Sequence, residues 1–210
     1  MTGVRRTRAT NIIALITCLA WAAAALSGHS EWAATQLGFI PVRQSINAAF
    51  VIPYWLTPLT ATVAHGGLVH LAFNMVLFVY CGRILEATLG WGPMLILYVA
   101  GAYGAATGQY FAGPASDVPM IGASGAISAV LAVYALLFGR NEVKRIGPIP
   151  SHWVRALWLA AAWIGMQALI AVATLKTGFG VATAAHVGGF LAGLALARPL
   201  LSWRYGLPKN

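Results

Sequence analysis

Acidic residues are nearly missing from this sequence: four Asp and Glu stand in 210 positions. Charge of either sign is scarce, at 8%, where soluble domains carry about 25%. Thirteen cations and four acids cannot cover the surface of a soluble fold of this size. A soluble globular enzyme is therefore excluded. Disorder is excluded as well, because 60% of the residues are hydrophobic. Period-two alternation is also missing, so the apolar stretches do not read as a β-barrel. The two cysteines, Cys18 and Cys81, lie in apolar runs without a CxxC partner, and imply neither a disulfide framework nor a metal site. HExxH is absent and the histidines lack carboxylate co-ligands, so no metal and no cofactor is expected. The net charge of +9 comes without a basic stripe of interleaved aromatics, and nucleic acid is not the expected partner.

What the sequence does have is long apolar runs. A transmembrane helix needs about 20 apolar residues. Six runs qualify, at roughly 10–28, 66–85, 92–111, 120–139, 153–174 and 182–201. Pro and Gly punctuate the breaks, at Pro41, Pro53 and Pro58, at Gly113-Pro114, and at Gly147-Pro148-Ile149-Pro150. No internal repeat and no soluble domain are visible. The expectation is an all-α polytopic membrane protein. It forms one membrane-embedded domain over 1–210, with a core at about 10–201 and short basic tails. The N-terminus has a basic stretch and an apolar run like a signal peptide, but the run is long and reads as a retained helix. Residues 29–65 are too long for a turn and too apolar for a solvated loop. Tyr54 and Trp55 suit the headgroup level, so this connection reads as an interfacial element rather than a seventh short span.

Cations set the orientation. With six spans and a cytoplasmic N-terminus, Arg43 and Lys176 alone fall outside. The other Lys and Arg residues fall inside. Both termini are then cytoplasmic. Polar groups within spans are costly and mark functional sites. His70 and Asn74 on span two, Ser124 on span four and His186 on span six all lie within two turns of the outer end. At 1.5 Å rise per residue they share a depth, so they can converge on one cavity.

Ser124 stands in Gly122-Ala123-Ser124-Gly125, at a helix start whose free N–H groups favour a developing oxyanion. Gly122 and Gly125 let another backbone approach the hydroxyl. A serine nucleophile needs a base, and His186 is the candidate. It lies one turn before Gly189, and Gly189 with Gly193 makes a GxxxG packing face. His70 and Asn74 are i and i+4 on one helix face and supply donors for an oxyanion hole. His65, five residues before His70, is expected on another face, with a structural hydrogen bond tying the first connection to span two. Ser128 and Gln167 are the other intramembrane polar residues noted. None of Glu31, Glu86, Asp117 and Glu142 falls within a span at this depth, so Ser–His chemistry here is a dyad with the imidazole oriented by packing.

His65-x4-His70-x3-Asn74, GxSG at 122–125 and AHxxGxxxG at 185–193 together resemble the rhomboid intramembrane serine proteases. Glu86, followed by Gly90, also fits that family's second helix. The resemblance covers the six-helix core and implies a six-helix rhomboid-like bundle. It implies Ser124 as nucleophile and His186 as base, with His70, Asn74 and the Ser124 N–H as the oxyanion hole. It implies that Gly189 and Gly193 pack span six on span four, that residues 175–181 form a cap, and that span five is a lateral gate. The implied partners are transmembrane protein substrates and the lipid bilayer. Apart from the resemblance, the short, domain-free chain suits a bacterial cytoplasmic membrane, and the charge topology has the site opening outward. Two departures stand out. Ser128 occupies the position where the family often has an aromatic that stacks on the catalytic histidine. Neither Trp32 nor Trp55 is followed by the arginine often seen in the first loop. Either another ring orients His186, or the dyad is looser, or activity is low. The rival readings are a rhomboid-like pseudoprotease that binds clients without cutting, and a small transporter or channel. An intact Ser–His pair argues against the first. The lack of intramembrane charges and repeated halves argues against the second.

Overall fold

The computed structural model describes residues 7–46, 51–139, 143–174 and 182–206. The six apolar runs appear as the six longer helices. They are α1 (Arg8–Leu26), α4 (Leu68–Leu89), α5 (Trp91–Ala112), α6 (Ser124–Phe138), α7 (Ser151–Thr174) and α8 (Thr183–Tyr205). Two short helices, α2 (Ser30–Leu37) and α3 (Thr57–Thr60), lie in the first connection with three 3-10 turns. At eight residues, α2 is about 12 Å long, far short of a bilayer crossing. No strand occurs among the described residues, only isolated bridges. Cys18 and Cys81 are free thiols.

The outer faces of the helices are apolar as well as the core, unlike those of a soluble protein. On α1, Ile12, Leu15, Ile16 and Leu19 form an exposed stripe, while Thr10 and Thr17 are buried. On α4, Leu68, Val69, Phe73 and Val76 face outward, while Asn74 and Glu86 are buried. In water such a surface would be a large apolar patch. In lipid it costs nothing, because the tails are as apolar as the side chains. By length and hydropathy α1, α4 and α8 are each able to cross a membrane, and α6 is a shorter apolar helix.

α6 is the central helix. Ala126, Ala129, Val130, Ala132 and Val133 on it are buried. Small residues bring its neighbours close. A Cβ at Gly189 of α8 would collide with the Gly125 carbonyl of α6, and one at Gly193 with Ala129. The GxxxG face therefore meets the helix expected. α8 has a second small face besides its GxxxG motif. Gly188 and Ala192 meet Gly104 on α5, where a Cβ would lie 2.7 Å from the Ala192 Cβ. Gly101 of α5 in turn meets Ala129 of α6, a Cβ there lying 2.6 Å from the Ala129 Cβ. Three helices thus share one close-packed centre. Arg155 of α7 caps the C-terminal end of α6, its guanidinium donating to the Ala135 carbonyl at 3.2 Å and the Gly139 carbonyl at 2.5 Å.

α1 is held by one carboxylate. Glu86, 3% exposed, accepts from the Ala9 N–H at 2.9 Å, the Thr10 N–H at 2.8 Å and the Thr10 hydroxyl at 2.7 Å. These N–H groups belong to the first turn of α1, where no intrahelical acceptor exists, and the helix dipole favours the negative charge.

Candidate active site

α6 has 15 residues and is about 22 Å long. The hydrocarbon core is about 30 Å thick. A helix this short cannot reach both surfaces of the bilayer. Ser124 is that first residue, and the chain before it runs as irregular backbone. Such backbone is tolerated at depth only where protein satisfies its polar groups. The first connection supplies the partners. Phe39 and Met120 exchange backbone hydrogen bonds of 3.0 and 2.8 Å, and the Gly122 N–H donates to the Ala61 carbonyl at 2.9 Å. The Ala123 N–H donates to His65 Nε2 at 3.4 Å. Arg43 is buried and its guanidinium donates to the Thr35 carbonyl at the end of α2. An arginine does bind backbone in the first connection, then, although no tryptophan precedes it.

His65 departs from expectation in two ways. Its hydrogen bond runs to the residue before Ser124 rather than to α4. Its ring also meets the His70 ring edge-on, with centroids 4.9 Å apart. The helical-face argument failed because His65 precedes the helix, which begins at Leu68. Burial first, and the neighbouring His70 second, push His65 down to about 4. It is therefore neutral near pH 7 and able to accept the Ala123 N–H.

Ser124 and His186 come together across α6 and α8. The Ser124 hydroxyl and His186 Nε2 are 2.8 Å apart. His186 is the fourth residue of α8, so both groups sit at the same end of the bundle. His70, the third residue of α4, lies beside them. A Cβ at Gly122 would fall 2.8 Å from His70 Nε2 and 3.8 Å from the Ser124 hydroxyl, so ring and hydroxyl flank one spot. Gly122 has φ +110°, a conformation that L side chains rarely adopt. The Gly66 N–H donates to His70 Nδ1 at 3.4 Å. That leaves the proton of a neutral ring on Nε2, the atom nearest Gly122. Asn74 is buried and donates one amide hydrogen to the His70 carbonyl at 2.8 Å. Its amide thereby holds the turn that carries His70.

Gly122→Ala is expected to lower any serine-dependent activity by at least about 100-fold, the scale of losing one oxyanion donor. The new methyl would stand 2.7 Å from His70 Cε1 and displace the ring. Steady-state rates and circular dichroism on the same samples separate this from unfolding.

Ser128 does not reach His186. Its hydroxyl bonds back to the Ser124 carbonyl at 2.8 Å. The orienting contact was not assigned from sequence: Gln167 Oε1 on α7 lies 2.9 Å from His186 Nδ1. By sequence Gln167 is only an intramembrane polar residue, and nothing in its local sequence connects it to His186. One turn earlier, Trp163 Nε1 donates to the His186 carbonyl at 3.2 Å. The Trp163 ring stacks on Phe190 with centroids 4.9 Å apart. Beside Ser124 lies a cavity of about 10 Å³, lined by Pro58, Thr62, Ala105, Met120 and Ala185 among others, with room for about one water. Its lining is mostly apolar, with Thr62 and Ser124 as its hydroxyl-bearing members. Residues 175–181, expected as a cap, lie outside the described residues.

A family profile, described as the Rhomboid domain, matches residues 52–203. The chain is 30% identical over 150 residues to rhomboid-type serine protease 2 of Emericella nidulans, covering 70% of this chain and 25% of that protein. It is 31% identical over 162 residues to rhomboid protease GluP of Bacillus subtilis, covering 74% and 27%. It is 30% identical over 135 residues to rhomboid protease GlpG of Yersinia enterocolitica, covering 63% and 44%. The chain thus spans between a quarter and a half of the length of these relatives.

Proposed function

This chain belongs to the rhomboid family, and from that membership and its site we propose that it is an intramembrane serine protease. The observation that carries the proposal is the 2.8 Å contact between the Ser124 hydroxyl and His186 Nε2. Nε2 accepts the hydroxyl proton as Oγ attacks a peptide carbonyl carbon. The oxyanion forms at the N-terminus of α6, where the Ser124 N–H and the His70 Nε2–H are donors. Asn74 is a third donor through its remaining amide hydrogen. The C–N bond then breaks, Nε2 returns the proton to the leaving amine, and an acyl-enzyme remains. Water repeats the sequence and frees the acid.

The substrates are transmembrane helices in the same bilayer. The six longer helices all span, both termini are cytoplasmic, and the site opens to the outer side of a bacterial cytoplasmic membrane. The strong inward bias of Lys and Arg supports this orientation. Helical backbone shields its own carbonyls, so cleavage favours segments with small or helix-breaking residues.

The test is cleavage of single-span substrates in liposomes, with products mapped by mass spectrometry. Cutting near the outer end of the span by the wild type, and none by Ser124→Ala, is the expected result. Cutting by both proteins, or capture of substrates by both without cutting, overturns the proposal.

A further inference from the structure

We infer that Gln167 is the positioning residue of this site, completing a Ser124–His186–Gln167 relay in place of the absent aromatic. The inference rests on the protease reading for its chemistry and on geometry for its residue. For Nε2 to accept the Ser124 proton, the ring must carry its other proton on Nδ1. Gln167 Oε1, 2.9 Å from Nδ1, accepts that proton and selects the tautomer. Gln167 is only 3% exposed, so no solvent competes for the amide oxygen. A neutral amide serves here better than an acid, because a carboxylate buried at this depth would carry a large desolvation cost.

The partner's location has a consequence. Trp163 and Gln167 are i and i+4 on one face of α7, and both bond to His186, Gln167 at its ring and Trp163 at its carbonyl. Apart from residue neighbours on its own helix, His186 is held by α6 at Nε2 and by α7 at Nδ1. The base is therefore correctly set only while α7 is seated against α8. Movement of α7 away from α8 releases the tautomer restraint at the same moment.

The test pairs kinetics with histidine nitrogen-15 spectra of the full chain in micelles. Gln167→Met keeps the volume and removes the acceptor. It is expected to lower kcat by roughly 10- to 100-fold with KM little changed, less than the about 10⁴-fold cost of losing a buried triad acid. Its spectrum should show a mixed tautomer where the wild type shows Nδ1–H. Gln167→Glu should restore much of the rate. Its acidic limb should move to higher pH, because a carboxylate stabilises the imidazolium. Trp163→Phe should slow the wild type several-fold and add little on top of Gln167→Met. A Gln167→Met protein with wild-type kcat, pH profile and tautomer overturns the inference. So does a Gln167→Glu protein whose acidic limb has not moved. A wild type with the Nδ1–H tautomer that neither cleaves nor takes up a fluorophosphonate probe overturns the protease reading and leaves the positioning role standing.

Discussion

His186→Ala is expected to lower the proposed cleavage rate by about 10⁴-fold or more, the scale on which single members of a serine relay are lost. An unassisted serine hydroxyl is a poor nucleophile near neutral pH, and His186 Nε2 is the one base hydrogen-bonded to Ser124 Oγ among the described residues. What survives is substrate positioning and the oxyanion donors, which do not move the proton. Uptake of a fluorophosphonate probe should fall in parallel, since it needs the same activated oxygen. The fold should hold, because the contact between α6 and α8 is made by Gly125, Ala129, Gly189 and Gly193 and not by the imidazole. Progress curves with a single-span substrate, beside thermal unfolding in detergent, check both halves. A variant that keeps a tenth of the wild-type rate would remove His186 from the role of base.

Glu86→Ala is expected to be the most damaging single change to stability, at about 3–5 kcal/mol. The figure follows from three donors left without an acceptor in a buried site, each costing about 1–3 kcal/mol before relaxation. Those donors are the Ala9 and Thr10 N–H groups and the Thr10 hydroxyl. Water cannot replace the carboxylate readily where Glu86 is 3% and Thr10 0% exposed. Glu86→Gln keeps one carbonyl acceptor and should lose less. Equilibrium unfolding in mixed micelles gives both values. A loss under about 1 kcal/mol in Glu86→Ala would mean that α1 is held by its apolar contacts alone. α1 lies outside the stretch matched by the family profile, so the Glu86 clamp joins a helix beyond that stretch to the matched core.

Much of this protein is legible in one dimension. The class follows from charge scarcity and continuous apolar runs, and the ends of the longer helices fall within a few residues of those runs, because Gly and Pro act on the backbone where they stand. A single glycine, Gly90 at φ +92°, joins α4 to α5. Ser124, His186, His70 and Gly122 could be named before any coordinates, since each sits in a short motif and the rise of a helix sets relative depth. The GxxxG of α8 likewise announced a close partner.

Other assignments required the packed molecule. His65 reaches the residue before Ser124 because the first connection folds over the start of α6. Arg43 binds backbone without the expected tryptophan. Gly104 and Gly188 make α5 as close a neighbour of α8 as α6 is. Above all, the acceptor for His186 comes from Gln167, nineteen residues earlier, and the anchor of α1 comes from Glu86, 76 residues after Thr10. Periodicity and composition report what a residue does to its own helix. Which two side chains meet across helices depends on rotation about each axis, on crossing geometry and on which small residues let backbones touch, and these are properties of the assembled bundle alone.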